Sequence, residues 1–414
     1  WLYVETSGDI SYASELRDVL ERFRRQAEAT GTDNDGMLVH DDADTWMDAT
    51  REGHEPYSPR GPKAIEVQVL WHMLYRVLLR MSPAHGTPET AGTHEAPLTE
   101  QADSLRAAIR AAFLTPRGIA DHIGHDGRPD HSMRPNALIA LEAERSLLNP
   151  DERVFTDAEC DAELARVRAR LLRPWGVLSL SADDPRFCPH HDNQADRHKD
   201  VAYHNGTCWG WNAPSVIGAL GRAGFTADQM RLTTALAGQI MSGQVLGSMS
   251  ELVDADSDAD SAEHGNPIES GTFSQTWSVS EFARIPQRAW LGLRPRLSKG
   301  PGAAVVEMQP MLPEGLSCYR VRVPLADGYL MVQVTADVTG DVAGTARAAD
   351  TTSGATSASG PITISIESHC RDLELHLRCD AATPDGAPVG ASAYVVQLGR
   401  GPSLQVRLPA DMGP

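Results

Sequence analysis

Positive charge is scarce in this chain: 37 lysine plus arginine residues stand against 56 aspartate plus glutamate, a formal charge of −19. Phosphate backbones and anionic lipid repel such a surface, so nucleic acid and membrane are excluded as partners, while neutral substrates such as sugars stay open. Nowhere do about eighteen apolar residues run consecutively, so no transmembrane helix is expected. The six cysteines (Cys160, Cys188, Cys208, Cys318, Cys370, Cys379) include no CxxC pair, which reads as reduced, buried thiols of a cytoplasmic enzyme and not as a disulfide framework. There is no P-loop, no dinucleotide-binding glycine fingerprint and no G-x-S-x-G nucleophile turn, so nucleotide chemistry and serine hydrolysis lack their usual marks. The first residues, Trp1-Leu2-Tyr3-Val4-Glu5, lack a methionine and lie on an apolar helix face, so the start reads as a truncation.

What is present is two patterns of hydrophobicity in 414 residues. Up to about residue 290 the spacing is helical. Leu16, Val19, Leu20, Phe23 and Ala27 share one face, as do Ala102, Leu105, Ile109 and Phe113. Residues 63–82 are apolar for too long to form a strand and predict a buried helix. Thr156 with Glu159, and Thr226 with Gln229, read as capping boxes opening helices to Leu172 and Leu246. Between helices lie long polar loops at 31–62, 114–133, 174–211 and 247–272, and long loops in compact domains usually carry function. From about residue 300 the period becomes two: Cys318–Val323, Tyr329–Val334, Ile362–Ile366, Leu373–Leu377 and Leu404–Leu408 predict half-buried strands. The small-residue stretch from Gly340 to Gly360 predicts a loop.

The loops hold the chemistry. Asp48 follows Trp46, and burial of a carboxyl against an indole favours its neutral form, as a general acid requires; a turn cap beside a core tryptophan is the plainer alternative. Tyr203-His204-Asn205-Gly206-Thr207-Cys208-Trp209-Gly210-Trp211 combines aromatic faces, which stack on sugar rings, with directional polar groups. Glu251 sits directly after a helix, although spacing alone does not single it out as a general base. Gln275 and Trp277 open a further helix, where Trp277 suits packing or stacking. Cys188, His190, His191, His198 and His204 are dense but lack the paired spacings of zinc sites, and no metal is expected. The acidic run from Asp254 to Asp260 has alanine where a calcium loop needs glycine, so it reads as a solvated loop.

Taken in order, these segments resemble the amylo-α-1,6-glucosidase domain of glycogen-debranching enzymes, glycoside hydrolase family 133. The resemblance rests on Trp1–Glu5 with Gly8-Asp9; on Thr45-Trp46-Met47-Asp48 with Pro59-Arg60 and Glu66; and on Arg134-Pro135-Asn136. It continues through Gly176–Leu180 with Asp184-Pro185, Ala202–Thr207 with Trp209, Ser250-Glu251-Leu252, and Gln275–Ser278. Leu178, Asn205, Cys208 and Gly210 depart from the family's usual arginine, glutamine, valine and proline. The resemblance implies a mainly α fold: an (α/α)6 toroid over 1–292, its first helices missing upstream, with a small all-β sandwich over 300–414.

It further implies inverting hydrolysis of α-1,6-linked glucose branches in glycogen or limit dextrin, with no cofactor. Asp48 matches the general acid and Glu251 the general base. Trp46, Arg60, Glu66, Tyr203, His204, Trp209, Gln275 and Trp277 fall at the sugar pocket. An inverting mechanism needs its two carboxyl groups roughly 6.5–9.5 Å apart, so that water fits behind the anomeric carbon. A related glucosidase acting on α-1,4 glucan or trehalose, and a truncated non-catalytic glucan-binding protein, are the rival readings. Oligomeric state leaves no mark in the sequence.

Overall fold

The computed structural model describes residues 1–51, 53, 55–81, 95–256, 268–296, 304–325, 328–336, 362–370, 372–382, 388–399 and 403–408. They separate into two compact units. One comprises Trp1–Asp9, Ile217–Thr233 and Ala283–Pro414, the other Ile10–Val216 and Thr234–Phe282. The expected loop from Gly340 to Gly360 and the acidic run beyond Asp256 lie outside the described residues.

In the larger unit the apolar stretch becomes the helix Ile65–Arg80, which packs against Glu95–Phe113 and Asn136–Leu147. Ala102, Leu105, Ile109 and Phe113 all turn inward, as their spacing predicts. Asp157–Arg170 opens on the capping box: the Thr156 hydroxyl accepts the Glu159 N–H, and Glu159 accepts the Thr156 N–H in return. The helix Ile10–Thr30 forms, but among its residues only Ala13 is buried, and Val19 and Phe23 stay exposed.

The toroid expectation is corrected here. Six helical hairpins require two helices each, whereas the described residues form ten α-helices, one of them only the four residues Asp200–Tyr203. Five small sheets of two or three strands interrupt them. The reason lies in the loops, whose glycines, prolines and polar residues have no helical period and instead close backbone ladders two residues long. A closed (α/α)6 ring is not what these residues show. The second capping box is corrected as well. The helix runs Thr226–Ser242, and the Gln229 amide reaches the carbonyls of Ile217 and Ala289 instead of turning back to cap.

The smaller unit carries the strands. Cys318–Leu325, Gly328–Ala336, Ile362–Ser368 and Ser403–Leu408 form one antiparallel sheet, and along Cys318–Leu325 exposed and buried residues alternate strictly. Arg294–Arg296, Ala304–Met308, Asp372–Ala382 and Pro388–Gly399 form a second, in which Ala304–Met308 runs parallel to Asp372–Ala382. Val306, Met308, Leu373, Leu375 and Leu377 from this sheet share one apolar cluster with Val323, Leu330, Val332, Val334, Ile364 and Ile366 from the other. Cys160, Cys188, Cys208 and Cys370 are buried free thiols, but Cys318 is exposed, against expectation. No helix among the described residues is long and apolar enough to cross a membrane.

Candidate active site

Two small sheets in the larger unit assemble the site. In the first, Cys208–Trp209, Leu252–Val253 and Glu269–Ser270 pair antiparallel, with Trp209 opposite Leu252 and Leu252 opposite Ser270. Glu251 therefore leaves the sheet beside Trp209 and next to Gly271 and Thr272. Its own N–H donates to the Thr272 carbonyl at 2.7 Å. In the second, Lys63–Ala64, His122–Ile123 and Pro129–Asp130 pair, which sets Asp121 against the start of the Ile65–Arg80 helix.

Between them the aromatic residues converge. The edges of His204, Trp209 and Trp211 meet Trp46 at centroid distances of 5.4, 5.5 and 5.0 Å. His204 stacks on Trp209 at 5.2 Å, Trp211 stacks on Trp277 at 5.0 Å, and Tyr203 stands edge-on to both His204 and Trp209 at 4.9 Å. Trp277 remains 37% exposed, so its ring is open to a ligand. His204 is fully buried and neither ring nitrogen has a protein partner. Burial, reinforced by the nearby charges of Arg134 and Arg60, holds its pKa down to about 3, so the ring is neutral and keeps one donor and one acceptor.

Asp48 is exposed on its loop, so the expected burial against Trp46 is absent. Glu251 is half-buried. Among the described residues neither carboxylate forms an ion pair. The phenol of Tyr203 links them. Its pKa is raised first by burial, then by a hydrogen bond to Glu251, and then by the negative charges of Glu251, Asp48 and Asp200. Two carboxylates from loops far apart in sequence thus act on one hydroxyl beside the aromatic group. Gln275 donates to Glu251 Oε1 at 3.1 Å, and the Thr272 N–H donates to Oε2 at 3.1 Å.

Arg60 and Glu66 lie behind this surface. Arg60 is fully buried, and its fork grips both Glu66 oxygens and both Asp121 oxygens, with the Asp121 carbonyl and the Thr45 hydroxyl as further acceptors. All its donors are engaged by protein acceptors, so none is left for a ligand. Burial alone would raise the Asp121 carboxyl, but the Arg60 charge, the His122 hydrogen bond and Arg134 outweigh it and hold the group well below the usual range. Asn136 donates to Asp121 at 2.8 Å and accepts the Trp46 indole N–H at 2.8 Å. Arg134 binds the Ser179 and His204 carbonyls and the Asn205 side chain, and burial brings its pKa down to about 10.

Sequence reasoning passed over Trp211, Asp121, Arg134 and Asn136 as site residues. Trp211 stands two places after Trp209, and Arg134-Pro135-Asn136 is part of the family resemblance, so both were within reach. Asp121 is a lone aspartate in a loop and carries no local signal. Asn205, one of the departures from the family pattern, is engaged with Ser58, Tyr57, Val201 and Arg134. Among the described residues no group of His, Cys, Asp or Glu is arranged to hold a metal ion. His190 pairs with Asp254 at 3.1 Å.

Comparison with known proteins follows the same lines. No curated protein matches the chain by sequence. Solved structures share the fold at low identity. A sialidase superposes with a TM-score of 0.59 at 13% identity, over 80% of this chain and 28% of its own. A family 78 rhamnosidase of Bacillus sp. GL1 gives 0.50 at 15% identity, over 80% and 29%. An α-L-rhamnosidase from Dictyoglumus thermophilum gives 0.50 at 9% identity, over 98% and 38%. This chain thus spans well under half the length of these structures. The profile of the amylo-alpha-1,6-glucosidase family matches residues 3–284, the span that holds every residue of the site above, and the chain belongs to that family of glycoside hydrolases.

Proposed function

We propose that this chain removes single α-1,6-linked glucose units from glycogen or limit dextrin by inverting hydrolysis, with Asp48 as general acid and Glu251 as general base. One feature carries the reading: two carboxylates that form no ion pair among the described residues, from loops two hundred residues apart in sequence, both lie within electrostatic reach of the Tyr203 hydroxyl beside the aromatic group. Glu251 takes the proton of a water that attacks the anomeric carbon. Asp48 gives its proton to the departing glycosidic oxygen as the oxocarbenium-like centre develops. Asp48 is exposed in the free protein, where a leaving group can reach it. Trp46 and Trp277 offer apolar faces to the sugar ring and Tyr203 a polar atom, while the buried Trp209 and His204 pack against them. Arg60 and Glu66 hold the wall behind them. In this reading residues 1–292 form the glucosidase domain and 300–414 an accessory β domain.

The test is glucose release from a glycogen limit dextrin, with the anomer followed by NMR. β-Glucose appears first. Asp48→Asn and Glu251→Gln each lower kcat about 10²–10⁴-fold. Activity unchanged in either variant overturns the assignment. Leu178 is a buried apolar residue where the family usually carries arginine, which favours a second reading, hydrolysis of an α-1,4 glucan or trehalose. A panel of these substrates decides between them.

A further inference from the structure

Sequence reasoning placed Gln275 on the sugar, yet its amide N–H is given to Glu251 Oε1 at 3.1 Å. The other oxygen, Oε2, accepts the Thr272 N–H at 3.1 Å. A carboxylate offers about four acceptor positions. One on each oxygen is filled by a protein donor, which leaves the others open to water. Both donors are neutral, so they fix the two oxygens against rotation without setting a cation beside the base.

The cradle is built into the backbone. The Gln275 N–H donates to the Met249 carbonyl at 2.8 Å, and Glu251 N–H to the Thr272 carbonyl at 2.7 Å, so the two segments are tied on either side of the carboxylate. The Ser248 and Ser274 hydroxyls join them again at 2.9 Å. Gly271 closes the back. Its φ is +72°, and a Cβ there would lie 2.6 Å from Glu251 Oε2, so the carboxylate occupies room that only glycine leaves free.

We infer that Gln275 is a positioning residue for the base: it holds Glu251 in an orientation that keeps an acceptor position open for the attacking water. This rests on the reading of Glu251 as the base. In the absence of the amide the carboxylate turns about its terminal bond, and a misplacement of about 1 Å costs about 10²-fold in rate.

Gln275→Met keeps the length and removes the donor. The experiment measures kcat and KM of this chain on α-glucosyl fluoride, whose leaving group needs no proton from an acid, with and without azide. Azide attacks C1 as the C–F bond breaks, giving β-glucosyl azide and fluoride, and needs no base. The expected result is kcat down about 10–100-fold, KM within twofold, and recovery of fluoride release with azide. Gly271→Ala, which displaces the same carboxylate from behind, gives the same signature and serves if Gln275→Met fails to fold. A raised KM with unchanged kcat and no azide effect overturns the inference and returns Gln275 to the sugar. If Glu251→Gln is inactive while Gln275→Met turns over like the wild type, this inference alone falls. If Glu251→Gln is as active as the wild type, or the wild type hydrolyses no α-glucoside, the reading of the site falls with it.

Discussion

The indole N–H of Trp46 donates to Asn136 Oδ1 at 2.8 Å, across ninety positions of sequence. The orientation of the Asn136 amide is unambiguous, because an ionised carboxylate only accepts and an indole only donates. Its NH2 faces Asp121 and its oxygen faces Trp46. Trp46 is thereby anchored to the buried Arg60–Asp121–Glu66 network, and its ring touches His204, Trp209 and Trp211.

Asn136→Leu has similar bulk, leaves the Trp46 indole N–H without its acceptor and takes one donor from Asp121, which keeps Arg60 and His122. A stranded buried group costs about 1–3 kcal/mol, so the urea midpoint is expected to fall. Oligosaccharide affinity, followed by tryptophan fluorescence, weakens as Trp46 comes loose. Stability loss with unchanged affinity would mean that Trp46 does not meet the sugar.

Arg60→Met removes the cation between two buried carboxylates. Breaking a buried pair costs about 3–5 kcal/mol, so the melting temperature drops sharply. Arg60→Lys recovers little of it, because one ammonium cannot reproduce a fork bound to Glu66 and Asp121 together. A lysine variant as stable as the wild type would contradict the network's role.

Glu163 sets a pH dependence. Burial raises its carboxyl to about 7; Arg166, bonded at 2.6 Å, opposes the shift, and the charge of Asp121 adds to it. Between the unfolded value of 4.5 and about 7 the folded state binds more protons than the unfolded one. Stability therefore declines as pH rises through this window, by roughly 3 kcal/mol at most. Glu163→Gln, neutral at every pH, flattens that slope in denaturant titrations between pH 5 and 8. A slope that the substitution leaves unaltered would assign the dependence elsewhere.

His204 works in the opposite direction. With its folded pKa near 3 against an unfolded 6.5, the unfolded chain takes up the extra proton. Its contribution is complete above about 6.5 and is lost as the pH falls towards 3. His204→Phe fills the same stack on Trp209 without a titrating group, so the variant tolerates pH 5 better than the wild type. Equal acid sensitivity in both proteins would remove His204 from the account.

Much was determined by the sequence alone: the helix Ile65–Arg80, the Thr156–Glu159 capping box, the strands at 318–325, 328–336, 362–368, 372–382 and 403–408, and the loops that carry the site. These rest on hydrophobic period and on caps, which are local and act within a few residues. Only tertiary structure decided the rest. Pro388–Gly399, rich in small residues and without alternation, becomes a strand because Asp372–Ala382 offers its edge. Short ladders took the place of the expected toroid, since pairing of two-residue segments leaves no periodic trace. Arg60 turned inward to Asp121, and Gln275 came to donate to Glu251. A polar side chain's partner is whichever complementary group the fold brings within hydrogen-bond reach, and for Arg60 and Asp121 that partner lies sixty-one positions away.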